Sequence, residues 1–257
     1  MNNTSLLTAS QRILLELARF LVHNEVSHKD FQVVSRWAFV QAGTEFLQKN
    51  GQFTLNGLLE VTGLSRNDVA RAESQSSAEM VESHETWKDA MRVLHKWYTR
   101  SEFVDRDGIP RKLDLTDAHV FQELFGAETD DPKAVELMNE LLDAACIEKV
   151  SRQSWKPTTR YYIPKNQDLR FHHFGQVVSR LISTLNRNMN SPDNDPWMER
   201  LVSSADLRNE ARPLFARVGK EQALRFLESM DDWMSSNEHE DRQAFDEIGL
   251  GLYYFED

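Results

Sequence analysis

The sequence predicts a mainly α-helical chain. It carries one or two helix-turn-helix or winged-helix units, short β-hairpins and a C-terminal helical region. Three observations support this. Only ten Gly and seven Pro are spread over 257 residues, too few for a loop-rich or β-rich architecture. Apolar residues recur at helical spacing along most of the chain. Two stretches, around 55–74 and 117–163, place a short helix, a turn and a second helix in succession.

From the N-terminus, Ile13, Leu14, Leu15, Leu17, Phe20, Leu21 and Val22 cover most of the circumference of a helix from Ser10 to His23, the pattern of an enclosed helix. A second helix runs from Ser27 to Gln48 with a wide apolar face that includes Phe31, Val34, Val40 and Phe46. It ends at Lys49-Asn50-Gly51-Gln52. Residues 75–85 are polar and Ser-rich and read as a linker. Trp87, Met91, Leu94 and Tyr98 then mark a third long helix. Asp105-Arg106-Asp107-Gly108 between apolar residues reads as a tight hairpin turn. Asp117–Phe125 and Pro132–Ala145 read as helices. Ile147–Val150 and Arg160–Ile163 read as the strands of a hairpin whose wide tip holds Trp155 and Pro157. Leu169–Asn190 is a further amphipathic helix, ended by the Pro-bearing linker Ser191–Pro196. Helix resumes near Asn209 with a break expected at Gly219, and Ile248–Phe255 alternates as a terminal strand would. These boundaries give an N-terminal region 1–112, a second unit 113–190 and a C-terminal region 191–257.

The chain carries 30 Lys+Arg against 41 Asp+Glu, a net charge of −11, which by itself disfavours polyanions. The charge is unevenly placed. Residues 1–100 hold 11 basic and 11 acidic side chains, and 101–150 hold 5 against 13. Residues 151–200 reverse this to 8 against 4, and 201–257 return to 6 against 13. Acid is thus concentrated in two blocks with a basic island between them.

The strongest motif is Leu55–Ala72. Leu55, Leu58 and Leu59 give a short helix an apolar inner face, and Gly63 tolerates the positive φ of a sharp turn. Leu64 plugs the angle. Ser65 with Asp68 three residues on forms a capping box that starts a second helix. Val69 and Ala72 face inward, leaving Arg66, Asn67, Ala70, Arg71 and Ser74 outward. Ser65, Arg66, Asn67 and Arg71 are therefore the expected DNA contacts, since Arg and Asn read guanine and adenine edges bidentately. Asp68 and Glu73 lie on or beside this face and oppose phosphate. In the basic island, Arg152, Lys156 and Arg160, interleaved with Trp155, Tyr161 and Tyr162, are expected to lie along the DNA backbone as a wing.

Phe174, Val178, Leu181 and Leu185 recur at heptad spacing and form a candidate dimer seam, though over only two to three heptads. Packing within the domain explains the same spacing. The chemistry-bearing residues elsewhere have simpler readings. His172 and His173 are adjacent and point about 100° apart on a helix. Thr116 stands where a calcium loop beginning at Asp105 needs a bidentate Glu. Glu238–Asp241 reads as a solvated charge run. Gly249-Leu250-Gly251 opens no helix, and Cys146, the single cysteine, reads as a small buried apolar residue. No metal site, cofactor or catalytic constellation is expected. With no long apolar run and no leader-like N-terminus, neither is a membrane segment. A cytoplasmic protein is expected, with double-stranded DNA as partner, a homodimer, or a protein bound through the acidic blocks. An interaction adaptor built on the same scaffolds is the competing reading.

The residues Thr62–Arg71, Val93-Leu94 with Trp97, Phe103-Val104-Asp105, Gly108-Ile109-Pro110 and the closing Gly249-Leu250-Gly251-Leu252-Tyr253-Tyr254-Phe255-Glu256 also carry a resemblance. The chain is similar over nearly its whole length to a family of uncharacterised bacterial proteins with a helix-turn-helix-like N-terminal region. The resemblance implies a cytosolic bacterial protein and supplies no catalytic or binding residues.

Overall fold

The computed structural model describes residues 3–74, 82–190, 195–237 and 248–256. Among them are nine α-helices and one two-stranded antiparallel hairpin, so the chain is mainly α. It divides into two compact units, residues 1–78 and 79–257.

The first unit holds α1 (Asn3–His23), α2 (His28–Lys49), α3 (Leu55–Thr62) and α4 (Arg66–Ser74). Helix α2 starts where Ser27 and Asp30 close a capping box. Helix α3 is capped by Thr54, whose hydroxyl accepts from the Gly57 amide at 3.0 Å, and stops at Gly63, φ +68°. The core is small. Val40 and Leu47 of α2 meet Leu58 of α3 and Val69 and Ala72 of α4, with Trp37, Leu59 and Leu64 around them. Gly43 makes this approach possible. A Cβ there would come within 2.7 Å of Thr62 Cγ2 and 2.9 Å of Leu58 Cδ1. The Thr62 side chain is held by its bond to the Leu58 carbonyl, so it cannot easily yield.

Two expectations for this unit are corrected. Helix α1 is longer than expected and is not enclosed: Leu6, Leu7, Ile13, Leu14, Leu15 and Val22 are all exposed. The buried face of α2 is narrower than its apolar pattern, with Val34, Phe39 and Phe46 also exposed. The small α2–α4 core has room for only part of the apolar surface the two helices carry.

The second unit is built on α5 (Glu82–Thr99), which starts inside the stretch expected as linker; residues 75–81 lie outside the described residues. Ala90, Val93, Leu94 and Trp97 bury one face of α5 against Phe121, Leu124 and Phe125 of α6 (Ala118–Phe125) and Leu137 and Leu141 of α7 (Pro132–Asp143). Trp97 donates its indole N–H to the Arg111 carbonyl at 3.0 Å. Thus α5, grouped by the sequence with the first 112 residues, packs instead with α6 and α7, because its most apolar face belongs to this larger core.

The hairpin pairs β1 (Ile147–Ser151) with β2 (Ser154–Pro157). The second strand is therefore Ser154–Pro157 and not Arg160–Ile163, and Trp155 lies in the core rather than in a tip. Burying this large ring sets the register. Leu113 adds a further rung, exchanging both backbone hydrogen bonds with Trp155 at 2.9 Å. The 105–108 turn forms as expected, with Gly108 at φ +76° and a single bridge between Val104 and Pro110.

Helix α8 (Gln167–Asn190) lies on α5. A 3₁₀ turn (Asn209–Ala211) leads into α9 (Arg212–Ser235), which runs through Gly219 without the expected break. Residues 248–256 form no strand. They run exposed, with Tyr254 against Phe215 of α9 at 6.3 Å between ring centroids. Residues 191–194 of the expected linker and the charge run at 238–241 fall outside the described residues.

Candidate nucleic-acid interface

The site is the outward face of α4. The Ser65 hydroxyl donates to Asp68 Oδ2 at 2.6 Å and accepts from the Asp68 amide at 3.2 Å, while the Ser65 amide reaches the same carboxylate at 3.3 Å. This reciprocal cap fixes where α4 begins. Ser65 is thereby committed to the cap. The other oxygen, Asp68 Oδ1, lies 3.1 Å from Arg36 Nε of α2. The Ser65 hydrogen bond holds this carboxyl below the usual carboxylate range against the opposing effect of desolvation, with Arg36 and Arg71 lowering it further. Asp68 is turned toward α2 and paired, so the acid expected to oppose phosphate is largely neutralised by its neighbours.

Arg66, Asn67 and Arg71 are exposed. Arg66 donates from Nη2 to Asn56 Oδ1 of α3 at 3.1 Å, which steadies its guanidinium at the start of α4. Ala70 and Ser74 share this face, and Glu73 is exposed nearby. Two guanidiniums and a carboxamide thus project from α4, Arg66 and Asn67 in its first turn and Arg71 in its last.

The cations of the hairpin region have a different fate. Lys156 pairs with Glu148 on the facing strand at 2.8 Å. Arg160 is mostly buried, bonds Asp232 and approaches Asp231 of α9, and covers the Tyr98 ring at 5.0 Å. Burial alone would ease the proton off Arg160; its hydrogen bond to Asp232 and the charges of Asp232, Asp231 and Glu228 outweigh this and keep it charged. Only Arg152 of the three wing residues stands exposed at the β1–β2 turn. The residues expected to form one phosphate-binding strip are therefore not presented together. The partners of Arg160 are 71 and 72 positions away in sequence, beyond any local pattern.

Helix α7 sits where a second reading helix would, after α6, Gly126 at φ +75° and an Asp131 cap. Its exposed positions are Pro132, Lys133, Glu136, Asn139 and Asp143. On the candidate dimer seam of α8, Phe174, Val178 and Leu185 are half-buried and Leu181 is exposed. The helix is laid on α5, with His173 against Trp87 and Arg180 over the same ring. Burial pushes the His173 imidazole below its usual value.

One arrangement escaped sequence reasoning. Nδ1 of His95 lies 3.0 Å from Asp231 Oδ1, and Nε2 lies 3.0 Å from Ser235 Oγ. The order resembles a nucleophile, base and acid, but the Ser235 hydroxyl donates to the Asp231 carbonyl at 2.8 Å. Ser235 also stands in the last turn of α9, where the negative end of the dipole disfavours an oxyanion. The trio fastens α9 to α5, while Arg160 and the Tyr161 hydroxyl, which donates to the Leu224 carbonyl at 2.8 Å, fasten α9 to the segment after the hairpin. Burial raises the Tyr161 phenol to about 12. Cys146 is buried and its thiol is pushed up by desolvation. Among the described residues no group of three His, Cys, Asp or Glu could hold a metal, and no helix is long and apolar enough to cross a membrane.

No curated protein and no solved structure matches the chain. A family model described as "Family of unknown function (DUF6502)" matches residues 4–257, and the chain belongs to that family.

Proposed function

We propose that the chain is a DNA-binding regulator of transcription that reads double-stranded DNA through α4, with α3, the Gly63 turn and α4 acting as a helix-turn-helix braced on α2. The observation that carries this reading is the outward set Arg66, Asn67 and Arg71, with the acid in the same turn, Asp68, drawn back onto Arg36. Arg side chains suit guanine edges and phosphates, and Asn suits adenine. The second unit runs helix, bridge, helix, helix, strand, strand, which is the order of a winged helix. In this reading it is not the DNA reader, because α7 presents Glu136 and Asp143 and like charge repels a polyanion. That acidic face favours a second, compatible reading for this unit alone: a docking module for a basic protein segment.

The test is selection of genomic DNA fragments by the purified protein at low salt, followed by anisotropy titration of the selected sequence. Wild type binds and Arg66→Ala/Arg71→Ala does not. Failure to retain any fragment at low salt contradicts the proposal.

A further inference from the structure

From α1 we infer that the protein forms a two-fold dimer in which the first helices of two copies pack against each other. Helix α1 spans 21 residues, yet it makes no extended contact with α2, α3 or α4. A helix of this length draws its stability from packing an apolar face. At 100° per residue, Leu6, Ile13, Leu17, Leu21, Leu14 and Leu7 fall on one broad face, while Arg12, Glu16 and Arg19 fall on the opposite side. The apolar face stays in water: Leu6 is 65% exposed, Leu7 63%, Ile13 54% and Leu14 48%.

The two ends of this face differ in a complementary way. Toward its C-terminal end, Leu14, Leu17, Leu21 and Val22 line a groove of about 300 Å³ with Val26 and Phe31, where the chain turns into α2. Toward its N-terminal end, Leu6 and Leu7 project largely into solvent. An antiparallel pair with its axis near Ile13 brings the projecting leucines of each copy to the groove of the other. This is the self-complementarity that a two-fold interface demands. One copy thus supplies both knob and hole, which selects a second copy as the occupant. Arg12, Glu16 and Arg19 of α1 remain in water, so none of these ions is desolvated.

The area suffices. Leu6, Leu7, Ile13 and Leu14 of this face, with Val22 at the groove, leave about 500 Å² per chain, so two copies bury about 1,000 Å², the lower limit for a specific interface. The contact lies in the unit that carries α4, and a dimer would present two such helices. The inference itself does not depend on DNA binding, because mass is measured without DNA.

Sedimentation equilibrium of the full chain from about 1 to 100 µM tests it. Twice the 29.8 kDa chain mass is expected. Leu7→Glu/Ile13→Glu should weaken the dimer at least about 100-fold with an unchanged circular-dichroism melt, and Arg12→Glu on the opposite side should leave it intact. A monomeric wild type overturns the inference. So does a double variant that dimerises as well as wild type, or a wild-type α1 that cross-links only within its own chain.

Discussion

The molecule builds two helix pairs by the same local rules and gives them opposite surfaces. In the first, α3 ends at Gly63 and α4 starts at a Ser65–Asp68 cap; in the second, α6 ends at Gly126 and α7 starts at Asp131. Both first helices have eight residues, and both closing glycines are left-handed. The outward positions then diverge. Helix α4 shows Arg66, Asn67 and Arg71 beside Glu73, whereas α7 shows Glu136 and Asp143 beside Lys133. Backbone geometry makes a helix pair available for recognition, and the side chains on its free face decide what can approach. The net charge of −11 is an average over these surfaces and describes neither.

The largest effect expected from this contrast is on DNA affinity. Arg66→Ala/Arg71→Ala should weaken binding at least about 30-fold, since each such contact is worth ~1–3 kcal/mol, with the fold unchanged by circular dichroism. Next comes the platform beneath α4. Gly43→Ala forces its methyl group onto Thr62 and Leu58 and should destabilise the first unit by about 2 kcal/mol in urea unfolding, in the range of other overpacked cores. DNA affinity should fall with it if α4 acts only when braced by α2. The smallest effect on DNA is expected from Arg160→Ala. It removes bonds to Asp231 and Asp232 and should cost the second unit about 1–2 kcal/mol, while DNA affinity changes less than about twofold.

Legibility tracks the range of the interactions. Gly63, Ser65 and Asp68 lie within six positions of one another, so the turn and both helix ends can be read directly from the sequence. The N-caps at Asp117 and Asp131 are local in the same way. What the sequence conceals depends on distant partners. Arg160 reads as a free wing cation because its acids sit on α9. Asp68 reads as a repulsive charge because Arg36 lies a helix away. The second hairpin strand is displaced from its expected place because Trp155, expected in a tip, is the ring that the core buries. Helix α1 reads as enclosed because apolar periodicity gives the width of a face and not the identity of its cover. At 248–256 the alternation pairs with no strand among the described residues and gives an irregular, exposed segment.

The most direct test of the account is the salt dependence of DNA binding for three proteins measured side by side: wild type, Arg71→Ala and Arg160→Ala. Removing a phosphate contact lowers the slope of log K against log salt by about one. The account predicts that reduction for Arg71→Ala and a wild-type slope for Arg160→Ala. A wild-type slope for Arg71→Ala with a reduced slope for Arg160→Ala would contradict it and move the DNA contact to the hairpin.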